Sequence, residues 1–179
     1  ELERDGYVGE RIGETAKPCV LVPVDFSANS AQSLHYGLSL AEVFDAKLTL
    51  LHVVPQPLPA MRTSPDASRA ARTRLLRDAR QRLALWVAEQ VNHPVTARLI
   101  VRLGQEPEAV IERMARNMNA DLLVVGSRKF SGWRHLVQGS VVRKLVRRVA
   151  SPILCLNAAV AGQRDHWLAR RRVFRLLGM

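Results

Sequence analysis

The stretch that decides the fold runs from Asp121 to Asn157, "DLLVVGSRKFSGWRHLVQGSVVRKLVRRVASPILCLN". It opens on an apolar run, "DLLVVG" (121–126), and closes on another, "SPILCLN" (151–157). Between them "SVVRKLVRRVA" (140–150) reads as a helix. A strand, a helix and a strand in that order form a crossover unit of a parallel sheet. Neither run alternates apolar with polar residues, which fits a sheet covered on both faces. The connecting loop, Gly126 to Ser140, carries three glycines with hydroxyl and basic side chains. It is either a phosphate-binding loop or a long turn that contains glycine.

The same unit repeats toward the N-terminus. "EPEAVIERMARNMN" (106–119) has a proline near its first turn and an inner face of Val110, Ile111, Met114 and Met118. "PVTARLIV" (94–101) reads as a strand. Before it, "RAARTRLLRDARQRLALWVAEQV" (69–91) is a long basic helix with Leu75, Ala79, Leu83, Trp86 and Val87 on one face. "PQPLPAMRTSPDAS" (55–68) holds four prolines and reads as an irregular crossing loop. "KLTLLHVV" (47–54) and "CVLVPVDF" (19–26) are two more strands. The helix between them, "SANSAQSLHYGLSLAEVF" (27–44), repeats Ala31, Leu34, Leu38 and Ala41, with Ser27, Asn29 and Ser30 as candidate N-caps. Five strands alternating with four helices predict an α/β fold, a parallel sheet with right-handed crossovers and helices on both faces.

Residues 1–17 are polar and read as a tail or linker; 18–157 form the domain. Residues 158–179 read as a basic amphipathic tail, with Trp167, Val173, Phe174, Leu176 and Leu177 opposite Arg164, Arg171, Arg172 and Arg175. Its charge suits an acidic membrane or a nucleic acid; its apolar side suits packing on the domain or a dimer mate. The chain opens on Glu1 rather than methionine, as a piece of a longer protein would.

The composition narrows the classes. The chain has 179 residues, 47% hydrophobic and 24% charged, with a net charge of +11, enough for one core and attractive to anions. No apolar run approaches the roughly 18–20 residues of a membrane span, and no signal-peptide pattern opens the chain. Two cysteines, Cys19 and Cys155, both in apolar runs, read as buried thiols of a cytoplasmic protein. His35, His52, His93, His135 and His166 show no metal-ligand spacing, and His135 reads as a surface loop residue. There is no GxxxxGK[ST] run and no GxSxG elbow. An efficient enzyme has little support, while slow ATP hydrolysis stays open.

Several motifs together resemble the universal stress protein family: "VLVPVDFS" (20–27), "KLTLLHVV" (47–54), "GQEPEAVI" (104–111), "ADLLVVGSR" (120–128) and "GSVVRKLVRRVASPILCL" (139–156). The resemblance implies strand order 3-2-1-4-5 and an adenine nucleotide, ATP with or without Mg²⁺, at the carboxyl ends of strands 1 and 4. Open parallel sheets bind ligands where strand order reverses, which agrees. It also places strand 4 between Cys19 and Cys155, too far apart for a disulfide. The family's nucleotide binders carry Gly, two residues, Gly, nine residues, then Gly and a hydroxyl. Here Gly126, Gly139 and Ser140 keep that pattern, and Lys129 replaces the middle glycine.

Residue by residue, Pro23 and Val53 would line the base pocket. Asp25 would lie near the sugar or the metal-bound phosphates; otherwise it caps a helix. Gly126 would turn the chain off strand 4 close to the ligand. Ser127 and Arg128 would reach ribose or phosphate. Ser140 would bind phosphate or cap its own helix. Val125 and Val141, beside the two retained glycines, complete the set. Lys129 either closes the pocket or offers its ammonium to phosphate. The resemblance further implies a regulatory module of the stress response, a homodimer through the fifth-strand edge and an unnamed protein partner. The alternative is a nucleotide-free interaction domain.

Overall fold

The computed structural model describes residues 17–55, 65–127 and 140–157. It has five strands and four helices in the expected alternation: β1 (Cys19–Val24), α1 (Ala28–Val43), β2 (Lys47–Val54), α2 (Pro65–Gln90), β3 (Ala97–Leu103), α3 (Pro107–Asn117), β4 (Leu122–Ser127), α4 (Ser140–Arg148) and β5 (Ile153–Asn157). The strands form one parallel sheet in the order β3-β2-β1-β4-β5.

Two elements differ from the sequence reading. The third strand begins at Ala97, not Pro94. Pro94 has no N–H for a ladder, and the apolar Val95 beside it lengthens the run without adding to the strand. The second helix begins at Pro65, four residues before the expected start. Proline suits the first turn of a helix, so the last proline of the supposed loop starts the helix.

Alternation along the strands builds two cores. Val20, Val22, Leu48, Leu50 and Val124 face α1 and α2, meeting Leu34, Leu83 and Val87. Leu21, Leu51, Leu123 and Val125 face α3 and α4, meeting Val110, Ile111, Met114 and Leu145. The α2 and α3 faces read from sequence point inward as expected, with Leu75, Ala79, Trp86 and Met118 at their margins. Helix α1 buries Ser30, Ser33, Leu34 and Gly37, a face of small residues. A Cβ at Gly37 would sit 2.7 Å from Val22 Cγ2, so glycine sets how closely α1 lies on β1. The buried Ser33 hydroxyl donates to Asn29 O at 3.0 Å and is satisfied within its own helix.

Cys19 and Cys155 are free thiols on β1 and β5, with β4 between them. Burial raises the pKa of both. Among the described residues no helix is long and apolar enough to cross a membrane.

Candidate functional site

The sheet reverses its order between β1 and β4, and there the two strands part. β1 pairs with β2 along all six of its residues, from Cys19↔Lys47 to Val24↔His52. It pairs with β4 only at Val20↔Leu122 and Leu21↔Leu123. The sequence explains why the ladder stops. Cys19 O accepts from Asp121 N at 2.9 Å, so its backbone groups face β4. By alternation those of Leu21 and Pro23 face β4 as well. Pro23 has no N–H to give, and pairing ends just before it. Beyond that point β1 and β4 are unpaired, and open parallel sheets take ligands in the crevice outside the carboxyl ends of their strands at such a reversal.

One wall of the crevice is polar. β1 ends at Val24, and Asp25 turns the chain into α1. Asp25 Oδ1 accepts from Ser27 N (3.1 Å), Ser27 Oγ (2.5 Å) and Ser30 Oγ (2.6 Å). Asp25 N donates to Ser30 Oγ at 3.0 Å. Of the three candidate caps, Ser27 holds the N-cap position and accepts from Ser30 N. Asp25 thus places a carboxylate at the positive end of α1. A phosphate would be repelled there. The first turn of α4 carries no acidic residue, which leaves that N-terminus suited to an anion.

Gly126 departs from its expected role. It lies inside β4, its φ is outside the left-handed region, and the chain does not turn there. A Cβ would instead meet the first turn of α1, 2.6 Å from Asn29 Cβ and O and 2.7 Å from Asn29 C. Glycine is required there because the backbone of a helix approaches it.

The opposite wall is apolar. Pro23 shares the strand face of Cys19 and Leu21, with Leu51 as its register partner. Val125 belongs to the α3–α4 core, and Val53 and Val141 pack against it. These four expected site residues lie on one side of the sheet. A Cβ at Gly104 would collide with Val110, so glycine at the end of β3 lets α3 come close.

Helix α4, which begins at Ser140, is fixed by two kinds of contact. Its own Leu145 is fully buried in the α3–α4 core. Lys144 Nζ donates to the buried Glu108 carboxylate on α3, and Arg148 lies 3.9 Å from Glu106. The Lys144 hydrogen bond holds the Glu108 pKa below the usual carboxylate value, against the opposing effect of burial. Ser127 and Ser140 stand at the end of β4 and the start of α4, on the two sides of the loop. Lys129, Gly139, Arg128 and His135, and the basic tail, lie outside the described residues.

Sequence reading missed one cluster. Phe26 adopts φ 64°, a conformation with no sequence signal in an aromatic residue. Its ring packs 4.4 Å from His52 and 5.8 Å from Trp86, with the Arg82 guanidinium 4.5 Å above it. His52 Nδ1 lies 2.8 Å from Val24 O, its bond fixing the end of β1. Burial pushes the His52 pKa down. The cluster props the β1–α1 turn from the α2 side.

A metal has no cage of its own here: no group of three or more His, Cys, Asp or Glu side chains stands together among the described residues.

Comparison with known proteins gives a consistent result. The sequence model of the universal stress protein family matches residues 19–157. The universal stress protein MJ0531 of Methanocaldococcus jannaschii is 24% identical over 147 residues, 82% of this chain and 86% of that protein. The solved structure of the hypothetical protein MJ0577 superposes with a TM-score of 0.61 at 18% identity, covering 78% of this chain and 95% of that one. A universal stress protein solved in complex with cAMP has a TM-score of 0.51 at 23% identity, covering 79% and 98%.

Proposed function

Since the chain belongs to the universal stress protein family, we propose that it binds an adenine nucleotide in the β1/β4 crevice and acts as a regulatory module. The observation that carries this reading is the early end of the β1–β4 ladder at Pro23, which leaves the carboxyl ends of the two strands unpaired at the reversal of strand order, near the acid-free N-terminus of α4. The base would lie against Pro23, Val53, Val125 and Val141. The phosphates would lie toward Ser127, Gly139 and Ser140 at the start of α4. Asp25 would face the sugar or a phosphate-bound Mg²⁺. A family member solved with cAMP supports the adenine preference. ATP is the nucleotide proposed, and the cytoplasm the place of action. Nucleotide occupancy would alter contacts with a partner protein in a stress response.

Calorimetry with ATP, ADP and AMP, with and without Mg²⁺, tests this directly. Binding at micromolar to submillimolar ligand is expected. Absence of heat with both components near about 1 mM, a limit on the order of 4 kcal/mol of binding energy, would overturn it.

Lys129 favours a second reading, a nucleotide-free interaction domain. Lys129→Gly separates the two. If only the variant binds ATP, the lysine closes an otherwise sound site.

A further inference from the structure

Helix α2 is longer than the sheet it covers. Its 26 residues span about 39 Å at 1.5 Å per residue. The eight-residue β2 and seven-residue β3 beneath it span about 26 and 23 Å. The excess lies at the N-terminal end of the helix. Asp66 to Arg74 are exposed on every face, and inward packing begins at Leu75. Because α2 runs back from the carboxyl end of β2, this overhang projects past the same sheet edge as the crevice.

The helix carries six arginines, Arg69, Arg72, Arg74, Arg77, Arg80 and Arg82, against three acidic residues. Arg82 is committed to Phe26. Among the described residues the one ion pair on α2 is a loose contact of 3.8 Å between the neighbouring Arg77 and Asp78. At 100° per residue Arg69, Arg77 and Arg80 fall within about 80° of one another, over about 16 Å of helix. Arg74 stands about 60° further round, whereas Arg72 falls on the sheet-facing stripe of Ala79 and Leu83.

We propose that this arginine face of α2 docks on the phosphate backbone of a nucleic-acid duplex. Charge complementarity is the first argument: among the described residues four exposed guanidiniums, Arg69, Arg74, Arg77 and Arg80, have one carboxylate contact, the loose Arg77–Asp78 pair, and each can take a phosphate through two parallel hydrogen bonds. The second concerns what the face lacks. A helix lying in a membrane exposes an apolar side. The apolar side of α2 is used up on the sheet through Leu76, Leu83 and Val87, and Leu85 alone stands exposed. Single strands are held by stacking on exposed aromatic rings. The aromatic residue of α2, Trp86, is instead engaged with Phe26. The contacts reach phosphates, not base edges, so binding is independent of sequence and sensitive to salt.

The test uses the full chain and a mixed-sequence DNA duplex, read by fluorescence anisotropy across a salt series. Wild type should bind at low salt, and log K against log[salt] should have a slope of about −4, from about four phosphate contacts. Combining Arg69→Gln, Arg74→Gln, Arg77→Gln and Arg80→Gln should weaken binding at least about tenfold and flatten the slope. Glutamine keeps the helix propensity of arginine, so the circular dichroism melt should be unchanged. Replacing Arg164, Arg170, Arg171 and Arg172 of the tail by glutamine removes the same charge and should leave most of the affinity. The proposal is overturned by absent binding at low salt, by equal loss in both variants, or by an α2 variant that binds like wild type. It is also overturned if the α2 arginines matter only for binding phosphatidylserine vesicles.

Discussion

Pro23 and Gly126 shape the crevice by what each lacks. Pro23 lacks a donor, and the β1–β4 ladder stops there. Pro23→Val supplies an N–H facing β4, so the ladder should extend and the crevice narrow. We expect nucleotide affinity to fall at least about tenfold, while stability changes by less than about 1 kcal/mol because gained pairing offsets the lost rigidity of proline. Affinity equal to wild type would show that the ladder end is irrelevant to the site. Gly126 lacks a Cβ where Asn29 of α1 presses against it at 2.6 Å. Those neighbours are helix backbone and cannot swing away. Gly126→Ala should therefore cost about 1–3 kcal/mol of stability, read as a lowered urea midpoint, even without ligand. A ligand-facing glycine would show the reverse, normal stability with weakened binding. Sequence reading found both positions. It did not show these backbone roles, because ladder direction and helix approach are properties of paired elements.

Among the elements, α4 depends on α3 for its position. Glu108 is buried and accepts from Lys144, so its pKa in the fold lies below the unfolded value near 4.5. The stability it contributes is therefore present above about pH 4.5 and is lost as pH falls through the lower, folded value. Lys144→Met strands the buried carboxylate and should cost about 2–3 kcal/mol near neutral pH. Protonation of Glu108 relieves that cost, so urea midpoints of the variant and wild type should converge in acid. A gap independent of pH would mean that lost packing of the lysine stem, not the ion pair, destabilises the variant. The pair was invisible in sequence: Glu108 and Lys144 stand 36 positions apart, and each looks like a solvated charge on an amphipathic helix. The elements themselves were legible, since each strand is a continuous apolar run and each helix has one apolar stripe. Their edges were less so: Pro94 and Pro65 were read as strand and loop where the chain uses them as loop and helix start.

Over the whole molecule, the alternation of strand and helix dictated a parallel sheet, but not where its order reverses. Right-handed crossovers allow β4 to add beside either β1 or β3, and the reversal was expected only from family resemblance. That reversal leaves two edges of different character. The β3 edge, "ARLIVRL", exposes Arg98 and Arg102, charges that discourage another strand from adding. The β5 edge, "ILCLN", carries no charge and leaves Ile153, Leu154 and Cys155 partly exposed, with the exposed Val146 on the preceding α4. An apolar edge of this kind invites a partner strand. We therefore expect a homodimer built on β5, observed as twice the monomer mass by light scattering. Leu154→Lys puts on β5 the charge that protects β3, and should convert the dimer to monomer with its circular dichroism spectrum retained. Arg98→Lys, the matching control on the other edge, should leave the mass unchanged. A wild-type chain that stays monomeric at its highest soluble concentration, or a Leu154→Lys chain that still dimerises, would rule out β5 as the interface.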